Sequence, residues 1–133
     1  MVCGSIGYGG IENIRRLYAV LTEKGFDATN NLLEKDMDYS HIYDFRDKLK
    51  LSQVIVENDL ERIDNADVLV VIVNSPSYGT AMEMLIAKGK GKKIVSLAKD
   101  SVPTPWPIYF SDFIVRDEQE LFRLLNKIWK QNQ

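Results

Sequence analysis

The sequence predicts an α/β fold: one flavodoxin-like, Rossmann-like parallel sheet of five strands, order 2-1-3-4-5, with helices on both faces. Three observations predict it. Short apolar runs alternate with stretches of helical period. The run Val68 to Val73 is continuous and β-branched, as suits a strand buried on both faces. Two strand ends open into turns rich in glycine and serine, Gly4 to Gly10 and Ser75 to Gly79. A chain of 133 residues is the size of one ordinary domain, read here as residues 1–133 without an internal boundary.

The elements follow in order. Val2 to Ile6 reads as a buried strand that ends in Gly7-Tyr8-Gly9-Gly10. Ile11, Ile14, Leu17, Tyr18 and Leu21 recur at helical spacing, and Gly25 closes that helix. Phe26 to Leu33 is read as the second strand. Asp36 to Lys50 is polar and aromatic without a clean period, and reads as a long loop or broken helix. Val54 to Ile63 is the next helix and Val68 to Val73 the third strand. Tyr78 to Lys88 is a helix ended by Gly89 and Gly91, and Lys93 to Ala98 a strand. Val102 to Phe110, with three prolines, is read as a loop. Phe113 to Val115 is a short strand, and Glu118 to Lys130 a closing amphipathic helix.

Bulk composition narrows the function. Hydrophobic residues make up 45% and charged residues 27%, enough for a core and unlike a disordered chain. A net charge of −2 argues against a general nucleic-acid binder, though not against a small phosphorylated ligand. One cysteine, Cys3, makes no internal disulfide, and the expectation is a reducing cytoplasm. No apolar run reaches the ~20 residues that span a bilayer, so no membrane partner is expected. His41 stands without a second histidine or cysteine nearby, so no metal is expected, and no cofactor.

In this fold the ligand crevice opens at the carboxyl ends of the first and third strands. Those are the ends that carry Ser5, Gly7, Tyr8 and Gly9 on one side and Ser77, Gly79 and Glu83 on the other. Backbone N–H groups at a strand-to-helix turn can hold an anion. Glu83 in the first turns of its helix is a candidate nucleophile, kept ionised by the helix N-terminus. It reads equally as a surface glutamate, except that Ala81 and Met82 beside it predict a largely buried helix with Glu83 facing the crevice. Asp59 alone is a solvated helix charge, and becomes a candidate only as a partner to Glu83, because glycosyl chemistry uses two carboxyl groups. Cys3 reads as inert core. Tyr39, Tyr43, Trp106 and Tyr109 either line a base-stacking pocket or are loop aromatics covering a core or a subunit interface.

Taken together, Val2-Cys3-Gly4-Ser5-Ile6, Glu57-Asn58-Asp59-Leu60, Ala66-Asp67-Val68 and Pro76-Ser77-Tyr78-Gly79 with Glu83 resemble the nucleoside 2-deoxyribosyltransferase family, and within it the 2'-deoxynucleoside 5'-monophosphate N-glycosidases. The resemblance implies that Glu83 forms a glycosyl-enzyme intermediate and that Asp59 protonates or holds the leaving base. It implies phosphate contacts from Ser5 and Ser77, and a homodimer in which Ser111 reaches the neighbouring subunit's site. The implied activity is hydrolysis of (2'-deoxy)nucleoside 5'-monophosphates. The alternatives are base exchange and a non-catalytic nucleotide-binding relative. Two positions depart from the family. Met1 stands where it has a tyrosine, a role Tyr8 is a candidate to fill, and Gly7-Tyr8 stand where the N-glycosidase branch has an arginine.

Overall fold

The computed structural model describes residues 1–7, 10–28, 38–73 and 75–131. Strands β1 (Val2–Cys3), β2 (Val68–Ile72), β3 (Lys93–Leu97) and β4 (Phe113–Val115) form one parallel sheet in the order β1-β2-β3-β4. Helices α1 (Gly10–Glu23), α2 (Leu49–Asn65), α3 (Tyr78–Gly89), α4 (Trp106–Phe110) and α5 (Glu118–Gln131) connect and cover it.

The alternation of side chains along each strand builds two cores. Val70 and Ile72 join Val2, Val95 and Leu97 under α1 and α5, with Leu17, Tyr18 and Leu121 fully enclosed. Leu69 and Val71 face the other way and join Cys3, Ile94, Ile63 of α2, and Met84 and Ala87 of α3. This two-sided burial is why β2 is an unbroken apolar run.

Two expectations are corrected. The predicted sheet has five strands, whereas the described residues form four, in the order left when the second strand is removed from 2-1-3-4-5. Of the predicted strand at 26–33, residues 26–28 are irregular and residues 29–33 lie outside the described residues. The chain there continues a helix cap. Gly25, at φ 90°, ends α1, with Gly25 N–H donating to Thr22 O at 3.0 Å and Phe26 N–H to Leu21 O at 3.0 Å. Phe26 and Ala28 then pack on the α1–α5 core, which accounts for their apolar character without strand pairing.

The second correction is α4. Pro105 is its N-cap and Pro107 lies in its first turn, where a missing N–H costs nothing and the ring's fixed φ suits a helix. The prolines therefore open a helix rather than a loop, and Trp106 stacks on Phe110 at 6.3 Å. Helix α2 also begins five residues earlier than predicted. Its first residue, Leu49, is exposed and gives no core-facing period. Residues 38–48 are turns and loop as expected, with Tyr39 packed edge-on against Phe45 at 5.6 Å.

Candidate active site

Parallel pairing aligns Cys3 of β1 with Val71 of β2, so the turns leaving these strands lie side by side. The first turn doubles back tightly. Gly10 N–H donates to Gly7 O at 3.1 Å and Ile11 N–H to Ile6 O at 3.3 Å. A Cβ at Gly10 would stand 1.9 Å from Ser5 O, so only glycine fits there. Ser5 is half-buried, with its hydroxyl 3.5 Å from Gly7 O. Tyr8 and Gly9 lie outside the described residues.

The second turn is set by Ser77. It is the N-cap of α3, extended at φ −148°, and its Oγ accepts the Thr80 N–H at 3.3 Å. That bond uses an oxygen lone pair and leaves the hydroxyl proton to donate. One turn on, the side chain of Glu83 leans back toward the start of the helix, as helical side chains do. Its Oε1 lies 3.9 Å from where a Cβ on Gly79 would stand, so glycine leaves the carboxylate uncovered on that side.

Glu83 is enclosed chiefly by neighbours from β1 and α2. Cys3 of β1 and Asp59 of α2 both lie close enough to act on its carboxyl electrostatically. Burial first, and the Asp59 charge second, push the Glu83 carboxyl up to about 7, against smaller opposing effects of the Cys3 hydrogen bond and Arg62. Two expectations change here. Glu83 is not held ionised by the helix N-terminus, because it lies beyond the first turn, where the dipole effect has faded. Nor is α3 largely buried: Ala81 and Met82 are exposed, and only Met84 and Ala87 are enclosed. Burial of Glu83 comes from the elements packed against it.

Asp59 is raised by its own burial and lowered by Arg62, whose guanidinium lies 3.7 Å away, one turn along α2. Cys3 is buried in the core, as read, and also lies beside the site. Burial, then Glu83, pushes its thiol well above the ordinary range, so it stays protonated next to the carboxyl. Tyr39, from the loop before α2, is pushed up to about 12 by burial and then by the charges of Asp59 and Glu83. Of the four aromatic candidates it is the one placed by these carboxylates. Tyr43, Trp106 and Tyr109 are largely exposed. Thr80 Oγ1 is buried without a hydrogen-bond partner among the described residues, three positions from Glu83.

The structure thus brings Glu83, Asp59 and Gly79 together, with Ser77 at the mouth of the same helix. It does not join Ser111 to them. Ser111 Oγ lies 2.6 Å from the buried Ser96 Oγ and donates to Pro107 O at 2.5 Å, both within its own chain. Arg62 and Thr80 are residues of the site that the sequence did not single out. For Arg62 the signal was present in its spacing from Asp59, since residues i and i+3 share a helix face. Tyr39 was a candidate, but nothing set it apart from the other three aromatics, because a loop has no period. Among the described residues no three His, Cys, Asp or Glu side chains cluster as a metal site, and no helix is long and apolar enough to cross a membrane.

A parallel α/β sheet with a half-buried carboxylate pair, from α2 and α3, beside the ends of two adjacent strands defines a class of proteins suited to chemistry on a small ligand. The particular family follows from comparison. A family profile described as nucleoside 2-deoxyribosyltransferase matches residues 7–125, and the chain belongs to that family. The family is enzymatic and acts on nucleosides by transfer or cleavage at the glycosidic bond. A search of curated proteins finds no match.

Proposed function

We propose that the chain hydrolyses the N-glycosidic bond of (2'-deoxy)nucleoside 5'-monophosphates, releasing the free base and the sugar 5-phosphate. The observation that carries this reading is the Glu83 carboxylate, buried beside Asp59 and Cys3 yet open past Gly79. A carboxyl pushed up to about 7 is poised between a basic, nucleophilic form and a neutral one near physiological pH.

In the first step a Glu83 oxygen bonds to the anomeric carbon while the carbon–nitrogen bond breaks and its electron pair leaves with the base. Asp59 holds the departing base and relays to it a proton drawn from solvent. In the second step water adds to the anomeric carbon, the Glu83–carbon bond breaks, the Glu83 carboxylate returns, and the proton that water loses passes through Asp59 back to solvent. The Cys3 thiol keeps Glu83 aimed throughout. Ser77, on the turn that opens α3, and Ser5, on the turn beside it, offer hydroxyl donors to the 5'-phosphate, assisted by the α3 N-terminus. They turn remote binding energy toward placing the sugar.

Base exchange uses the same intermediate, with a second nucleobase in place of water, and the family's name keeps it as the alternative. The resemblance implies an acidic residue in the transferase branch where this chain has Ser77, and the serine therefore favours the hydrolase. We further propose a homodimer. Tyr78, Met82 and Leu85 form an apolar stripe on α3 at 91%, 61% and 58% exposure, beside Trp106 and Tyr109 of α4, and a second copy would cover it.

Acid quench of the enzyme with a deoxynucleoside monophosphate, followed by peptide mass spectrometry, tests the mechanism. A dehydrated sugar phosphate on the peptide holding Glu83 is the expected result. Base release from an enzyme in which no such adduct forms, even with a slowly hydrolysed substrate, would contradict it.

A further inference from the structure

Arg62 is the cation built into this site. Its side chain is 14% exposed, its Nη1 lies 3.7 Å from Asp59 Oδ1, and its Nη2 donates to the hydroxyl of Tyr18. Its Cζ also sits 5.7 Å from the centre of the Tyr18 ring. That hydroxyl is itself fixed on β1: it accepts the Val2 N–H at 2.9 Å and lies 3.3 Å from Val2 O. Tyr18 belongs to the α1 side of the sheet and α2 packs on the other, so the contact ties the two layers together at β1. The next residue of β1 is Cys3, whose thiol lies beside Glu83. One polar chain therefore runs from Asp59 through Arg62 and Tyr18 to β1, one residue away from the strand position beside Glu83.

We propose that Arg62 is a positioning residue for the reaction, seating Asp59 against β1 and keeping it an ionised acceptor for the leaving base, while Tyr18 seats the guanidinium. Two carboxylates enclosed together repel one another and tend to share a proton. A buried cation on the Asp59 side stabilises the form in which both are ionised. Its forked, planar head bonds Tyr18 while facing Asp59, which an ammonium group would do less well. Among the described residues, the titratable groups around the pair are the amino group of Met1 and the Cys3 thiol on β1, and the Tyr18 phenol on α1. Asp59 and Arg62 on α2, Tyr39 on the loop before it, and Glu83 on α3 complete the set.

The role rests on the proposed glycosidic reaction, but its test has a readout that needs no turnover. Carbon-13 carboxyl titration of Asp59 and Glu83 by NMR, assigned with Asp59→Asn and Glu83→Gln, is followed in wild type, Arg62→Met and Arg62→Lys. In Arg62→Met the last proton should leave the pair about one pH unit higher. Arg62→Lys should recover more than half of that shift. The acid limb of kcat/KM should move with the titration, giving about tenfold less activity near pH 6 and less than about threefold loss near pH 8.5. An unmoved titration in a folded Arg62→Met, with kcat/KM lowered equally at every pH, would overturn the proposal. Should that variant not fold, Tyr18→Phe carries the test: a smaller upward shift is expected, and an unchanged titration overturns it. Absence of base release from wild type, with the titration shifted as expected, would refute the glycosidase reading and leave the electrostatic role of Arg62 standing.

Discussion

At Glu83 two requirements pull against each other. A nucleophile reacts as the anion, while enclosure beside Cys3 and Asp59 disfavours the anion. The sign of the consequence for stability is definite. The folded-state value, about 7, lies above the 4.5 of an unperturbed glutamate. The stability a protonated Glu83 confers is therefore full below the unperturbed value and is lost as pH rises through the folded one. Glu83→Gln removes that loss. Urea unfolding should find the variant gaining on wild type by about 1–3 kcal/mol between roughly pH 5 and pH 8. A stability difference independent of pH would contradict the assigned burial. This detail was not legible in the sequence. Glu83 itself was, since a lone carboxylate after a serine- and glycine-bearing turn stands out. The sign of its shift was not, because it depends on Cys3 and Asp59 brought from distant parts of the chain. Asp59 read alone resembles any helix charge; its i, i+3 spacing to Arg62 was legible, but the link from Arg62 to Tyr18 and β1 was not, because it joins distant parts of the chain.

Among the elements, α3 does the most, and it illustrates what local patterns reveal. The turn at 75–77 and the start of the helix at Tyr78 follow from the cap chemistry of Ser77, and the structure agrees with both. Which face of α3 is buried did not follow. An apolar residue covering a core and one left for a partner look the same in sequence, so Ala81 and Met82 misled. The prolines before and within α4 misled for a related reason, since proline opens a helix as readily as it ends one. Ser77→Ala separates two roles of one hydroxyl. Loss of the cap should cost about 1 kcal/mol in thermal or denaturant unfolding. Loss of a phosphate donor should lower the preference for a monophosphate over its nucleoside by about tenfold in kcat/KM. A lowered melting temperature with an unchanged preference would leave Ser77 a cap alone. A bulky residue at Gly79 should be harsher on turnover than on folding. The position is exposed, and its added side chain would stand beside Glu83 Oε1. Gly79→Val with unimpaired turnover would argue that substrate does not approach from that side.

At the scale of the whole molecule, layer order and topology were largely readable. Strand and helix patterns alternate cleanly, and β2 announces itself as a strand enclosed on both sides. The assembly of the chain with itself was readable only through resemblance. The stripe of Tyr78, Met82 and Leu85 beside α4 gives that expectation a physical location. Light scattering should find a dimer for wild type, and Leu85→Glu should give a monomer by placing a charge in the covered face. A wild-type monomer at assay concentration would rule out a shared site. The central claim, glycosidic cleavage of a nucleotide by Glu83, is tested most directly by free-base release. The panel is ribo- and deoxynucleosides and their 5'-monophosphates, with wild type beside Glu83→Gln. Release from monophosphates, weak or absent release from nucleosides, and a loss of at least about a thousandfold in the variant are expected. Equal release by wild type and Glu83→Gln would contradict it.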